Sequence, residues 1–214
     1  MKFGAIFLTI VILEIITAFS IQYLFVGEQL YYQSFGEQLT LERIDLMLEL
    51  TKKYQWLNYT LIPVIILLRV FYTSVFLFIG VFFSELEIEF GKLFKIALLT
   101  EFIYVVAGVA KLAILIFFKQ VNTLEDLQFQ SLSVIELIDN KNVDMLFIYP
   151  LSLLNVFELG YFLVLAWLLV GVINEANEER PVKYGKSLQI VTVSYGSGLL
   201  LWVVLVMFLT LNMS

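Results

Sequence analysis

Long apolar runs alternate with polar segments along the chain, and the alternation sets the elements. The apolar runs cover about residues 3–26, 59–83, 94–118, 146–173 and 188–211. Each holds about 20 or more predominantly apolar residues, enough to cross a hydrocarbon core of roughly 30 Å as a helix. The expected fold is therefore all-α: a polytopic membrane helical bundle of five transmembrane helices plus one or two amphipathic surface helices, forming a single membrane domain over residues 1–214. The first run is read as an uncleaved span, because it is longer than a signal-peptide core, contains Glu14 and lacks a small-residue cleavage pattern.

The polar segments carry patterns of their own. In 27–57, Leu41, Ile44 and Leu48 recur at helical intervals among charged positions, and Ser34 with Glu37 has the spacing of a capping box. An amphipathic helix is expected there, lying on the membrane surface with Tyr54 and Trp56 at headgroup level, docking another protein, or packed on its own bundle. In 119–144, Leu124, Leu127, Ser131, Ile135 and Ile138 suggest a second surface helix. Two joints are short. Ser84 to Gly91 is a tight acidic turn that makes the second and third spans antiparallel neighbours, and Asn174 to Ser187 is a charged loop in which Pro181 and Gly185 break the helix.

Composition narrows the function classes. Hydrophobic residues make up 61% of the chain and the mean hydropathy is +0.93, so the bilayer is the solvent. The net charge of −6 resides mostly in the polar segments and makes nucleic acid an improbable partner. With no Cys and no His, thiol chemistry, disulfides, the commonest metal ligand and the commonest general base are all missing. Neither a cofactor nor a metal site is expected, and the chain is read as non-enzymatic. Lys2, Lys92, Lys95, Arg180, Lys183 and Lys186 fall on the N-terminal side, concentrated in short loops, whereas Arg43, Lys52, Lys53, Lys119 and Lys141 are spread through the longer segments. The positive-inside rule then favours a cytoplasmic N-terminus and an outer C-terminus.

Candidate chemistry rests on polar residues inside the spans: Glu14, Arg69, Glu101, Lys111 and Glu158, with Asn155 beside the last. Each ionisable group costs about 2.5–3.5 kcal/mol at a helix centre, so each should face protein and pair. Asn155, Glu158 and Tyr161 share a helical face, while Leu151, Leu154, Leu165, Trp167 and Leu168 form the opposite one, suited to lipid or an apolar neighbour. Arg69 can pair with Glu101 or with Glu158. Lys111 lies about 15 Å along the helix from Glu101, too far to bridge it. Structural pairing, within the chain or with a partner subunit, is preferred to a proton or ion path, because no inverted repeat of the transporter kind is evident. Ala107, Gly108 and Ala110 allow close helix approach, as do Gly196 and Gly198 around Ser197, which has no His to activate it. The sequons at Asn58 and Asn212 sit at the membrane edge and carry no weight.

From about Leu61 onward the chain resembles the Yip-domain family of five-span membrane proteins. The resemblance is carried by the glycine-plus-basic stretch Phe90-Gly91-Lys92-Leu93-Phe94-Lys95 and by Leu153-Leu154-Asn155-Val156-Phe157-Glu158-Leu159, similar to the family's entry into its fourth span. The chain departs from the family in its single Gly91 and in the span and polar segment that stand where relatives have a long cytoplasmic region. The resemblance implies a protein that works through partners: eukaryotic relatives act in vesicle trafficking, and bacterial ones include accessory subunits of ABC-type export machinery. The expected function is thus an accessory or scaffold subunit of a larger membrane complex, possibly an exporter of that type, in a bacterial inner membrane, with the lipid bilayer and other membrane subunits as partners. The alternative is a small homo-oligomeric transporter or channel with Arg69, Glu101 and Glu158 along its path.

Overall fold

Among the described residues of the computed structural model, five helices long and apolar enough to cross a membrane run Phe3–Phe25, Leu41–Phe83, Phe90–Phe117, Val156–Ala176 and Tyr184–Asn212. The structure describes residues 3–138, 143–176 and 181–213. Lys2, Lys141 and Arg180, counted in the charge argument, lie outside the described residues. Helices are labelled α1 (Phe3–Phe25), α2 (Glu28–Phe35), α3 (Leu41–Phe83), α4 (Phe90–Thr100), α5 (Phe102–Phe117), α6 (Leu124–Leu127), α7 (Met145–Leu153), α8 (Val156–Ala176) and α9 (Tyr184–Met213), with a short 3₁₀ turn at Val134–Leu137. The chain is an all-α polytopic bundle.

Two apolar clusters hold it. One joins α3, α4, α8 and α9 through Leu77, Leu93, Tyr161, Leu165, Leu169 and Val191, and the other joins α1 to α3, α4 and α5 through Ile6, Ile10, Val70, Leu98 and Val105. Small residues set the closest approaches. A Cβ on Gly80 of α3 would collide with Ser194 of α9, one on Gly198 would stand 2.8 Å from the Phe76 ring, and one on Gly108 would meet Thr17 of α1 at 3.2 Å. The outer faces are apolar and bare, as lipid contact requires: Leu8, Ile12 and Ile16 on α1 and Trp167 on α8 are all more than half exposed. Leu165, grouped by sequence with Trp167 on one face, is instead fully buried.

The polar segment 27–57 is not a separate surface helix. Its second half is the start of α3, a continuous helix of 43 residues and about 64 Å at 1.5 Å per residue, more than twice what a bilayer core needs. Such a helix cannot lie flat on the surface and also cross, so its N-terminal portion projects as an arm. The short helix α2 folds back against it: Lys52 Nζ meets Glu28 Oε1 at 2.6 Å, Tyr32 bonds to Asp45, and Leu30, Ile44 and Leu48 are buried. The Ser34–Glu37 capping box is absent for the same reason. Ser34 sits at the end of α2, its hydroxyl donating to the Leu30 carbonyl and accepting the Leu124 N–H at 2.8 Å. Helix α3 instead begins after Thr40.

The expected second surface helix does not form either. Residues 119–138 fold as the single turn α6, capped by a Thr123–Asp126 box, and the 3₁₀ turn, with residues 139–142 outside the described residues. The Ser34–Leu124 bond ties this segment to the arm, so both lie at one end of the bundle. Phe3 of α1 packs on Phe94 of α4 at the other end, near the 84–89 turn that makes α3 and α4 antiparallel neighbours. Gly185 does not break the last helix, which already begins at Tyr184.

The fourth span is not one helix from 146 to 173. It breaks after Leu153, and α8 starts at Val156. Free backbone groups at such a break need partners, because membrane depth supplies no water. The segment before the 3₁₀ turn provides them: the Val134 N–H donates to Leu154 O at 2.9 Å, the Val156 N–H to Leu132 O at 3.3 Å, and Ser133 pairs with Asn155 in an isolated antiparallel bridge.

Candidate functional site

The intramembrane polar residues converge where α3, α5, α8 and α9 meet. Arg69 of α3 reaches the junction of α4 and α5, where the helix tightens for one turn: the Glu101 N–H bonds to Leu98 O rather than one residue further back. Arg69 Nε donates to Glu101 Oε2 at 2.8 Å, and Nη2 donates to the same oxygen. Glu101 is fully buried, and the Arg69 side chain is 35% exposed. The guanidinium lies 4.2 Å from the centroid of the Tyr104 ring, a cation–π contact that partly replaces its lost hydration.

Glu158 occupies the first turn of α8, where the unpaired N–H groups of the helix start favour negative charge. Its carboxylate accepts from the Tyr104 hydroxyl at 2.8 Å and from the Tyr195 hydroxyl at 2.9 Å. Asn155 supports it from behind: Oδ1 accepts the Glu158 N–H at 2.8 Å, while Nδ2 donates to Ser152 O at 3.0 Å, so one side chain closes both sides of the helix break. Tyr161 shares a hydrogen bond of 3.2 Å with Thr73. The three tyrosine rings pack in series, Tyr104 on Tyr161 at 5.0 Å and Tyr161 on Tyr195 at 5.1 Å.

A cavity of about 890 Å³ opens beside this cluster, with Arg69, Tyr104, Glu158 and Tyr195 on its inner wall and Lys111 and Ser131 nearer the arm end. Of the two acids open to Arg69 from sequence, Glu101 is the one that meets it, and Glu158 is satisfied by hydroxyls instead. Glu14 is half-buried on α1, within electrostatic reach of Arg69 and Glu101. Lys111 is remote from Glu101 and lies over the Phe129 ring at 5.3 Å. Asn155 is no member of a continuous polar helix face, because the helix ends before it. Among the described residues no group of three His, Cys, Asp or Glu could hold a metal ion.

Sequence reasoning missed Tyr104 and Thr73 and did not connect Tyr195 with Glu158. One signal was present: the third and fourth spans both carry Glu-x-x-Tyr, at Glu101–Tyr104 and Glu158–Tyr161, which places a phenol one turn after each of these carboxylates. The pairing crosses between spans, so that Tyr104 serves Glu158. What this arrangement can do is hold a compact polar core at membrane depth, with Glu101 paired to Arg69 and Glu158 hydrogen-bonded by phenols, bordered by an open cavity. Comparison with family models, with curated proteins and with solved structures gives no match.

Proposed function

We propose that the protein is a non-enzymatic integral subunit of a larger membrane assembly, bound to its partner through the projecting arm. The observation that carries this reading is the arm itself. Its inner face is closed by α2, yet Leu46 and Leu50, one turn apart on the outer face of α3, are 56% and 46% exposed. A helix extended this far beyond the bilayer needs a reason, and an apolar edge on a rigid hairpin suits a helix-on-helix contact with another subunit. Resemblance to the Yip-domain family supports a partner-dependent role, with an ABC-type export system as the class of complex. Lys92, Lys95, Lys183 and Lys186 lie in or within two turns of the short joints at the end opposite the arm, whereas Arg43, Lys52, Lys53 and Lys119 are spread through the longer segments at the arm end. The density of basic residues in short joints supports a cytoplasmic N-terminal end, with the arm outside.

The test is a photo-crosslinking side chain at position 50 in the native host. A single discrete adduct is expected, lost in Leu46→Asp while helicity and elution volume are kept. No adduct, or one indifferent to Leu46→Asp, counts against the reading. The cavity beside Arg69 and Glu158 favours a second reading, a small homo-oligomeric transporter. Ion flux in proteoliposomes containing this chain alone would support that reading instead.

A further inference from the structure

The half of the cavity nearest the arm has a chemistry that the ion pair and the tyrosines do not use. Lys111 projects from α5, and among the described residues no acid lies within ion-pair distance of its ammonium group. Lys119 approaches the same Phe129 ring, at 4.3 Å. Two ammonium groups converging on one ring repel each other. Glu136 acts on Lys111 through space, but its carboxylate is held by the Gln130 N–H at 3.1 Å. A membrane-depth cation normally has a countercharge in contact, and among the described residues none touches Lys111.

Ser131 is an independent observation. The residue is only 8% exposed and lines the same cavity, yet its hydroxyl has no hydrogen-bond partner. An unpartnered buried hydroxyl is costly, and rotation about the Ser131 Cα–Cβ bond toward the cavity that the residue lines would let a ligand acceptor take it. The cavity also has an apolar lip. Ile65, Leu68 and Phe71 of α3 line it and are more than half exposed on the lipid-facing side of that helix. The volume of about 890 Å³ is far larger than an inorganic anion needs and falls in the range of organic-ligand sites.

We propose that this cavity holds one anionic amphiphile, its phosphate or carboxylate head between Lys111 and Ser131 and its hydrocarbon tail passing over Leu68 and Phe71 into the bilayer. The polar half alone would take a free anion; the apolar lip is what calls for a tail. The proposal stands independently of which assembly the chain joins.

The test is native mass spectrometry of the full chain in detergent, titrated in turn with phosphatidylglycerol, phosphatidylcholine and inorganic phosphate. One phosphatidylglycerol per chain is expected, retained about tenfold more tightly than phosphatidylcholine, as one charge-assisted contact allows. Lys111→Gln should abolish that preference and Lys111→Arg should restore it, which separates lost charge from lost fold. Leu68→Trp, at the lip, should weaken the lipid without creating a preference for phosphate. Equal retention of the two lipids, or an unchanged preference in Lys111→Gln, overturns the proposal. Binding of inorganic phosphate as tight as that of the lipid and indifferent to Leu68→Trp overturns it too, and makes the site one for a free anion.

Discussion

Arg69 and Glu101 are joined through a single oxygen: Nε and Nη2 of the guanidinium both donate to Oε2, and Oε1 is left buried without a hydrogen-bond partner. The pair therefore neutralises charge without satisfying every acceptor. Its role is to let two charged residues exist at membrane depth, where either alone would be expensive.

Removing one partner should therefore hurt more than removing both. Arg69→Met is expected to cost about 3 kcal/mol, the low end of the range for a broken buried pair, because the Arg69 side chain is still 35% exposed. Arg69→Met with Glu101→Met should recover most of that loss. Unfolding in mixed micelles by SDS titration measures both, and a double variant no better than the sum of the singles would show that the pair is uncoupled.

Glu158 is held by two phenols at once, which makes Tyr104→Phe and Tyr195→Phe coupled changes. Each alone is expected to cost about 1.5–3 kcal/mol, the range for hydrogen bonds to a charged group. In Glu158→Gln both substitutions should become much milder, because the charge that they serve is gone. Double-mutant cycles over the three positions read this directly, and additive losses in the Gln background would count against it.

Gly80 and Ser194 fix the approach of α3 to α9. A Cβ on Gly80 would stand 2.7 Å from Ser194 Oγ and closer still to its Cβ. Overpacking of this kind costs about 1–3 kcal/mol, so Gly80→Ala should destabilise and Ser194→Gly should restore much of the loss in the same unfolding assay. Gly91, with nothing near its Cβ position, is the control: Gly91→Ala should be tolerated.

The chain has no cysteine, so single-cysteine labelling has no background. Cysteines at Glu37 and Glu125 should react with a membrane-impermeant maleimide from one side of sealed vesicles, and those at Glu87 and Lys183 from the other. Reaction of Glu37→Cys and Glu87→Cys from the same side would contradict the order of the helices.

The spans were legible because each is a window of predominantly apolar residues, and a window of bilayer length is the mark of a membrane-crossing helix. The break in the fourth was not, since Leu153, Leu154, Val156 and Phe157 around Asn155 are as apolar as a continuous helix would be. It depends on backbone partners at Leu132 and Val134, some twenty positions earlier in the chain, which hydropathy cannot register. The arm was hidden for a related reason: polarity changes near Leu57, but helical periodicity does not, so α3 runs straight through a compositional boundary. At the site, the ionisable residues stood out by their cost in lipid. The tyrosines that satisfy Glu158 did not, because a phenol in an apolar span is inexpensive and is often only a packing residue. Lys111 stood out by cost too, but the segment that brings Phe129 to it carries a helical spacing, Leu124 to Ile138, that its fold does not follow.

The most direct measurement is the mass and composition of the complex released from native membranes by a mild detergent, captured through a tag after Ser214 and weighed intact. A defined heteromeric assembly containing this chain in fixed stoichiometry, and losing its partner in Leu46→Asp, is expected of a subunit that docks through its arm. Recovery of this chain alone, as a monomer or a homo-oligomer unaffected by that substitution, would contradict the subunit role and leave transport through its own cavity as the reading to pursue.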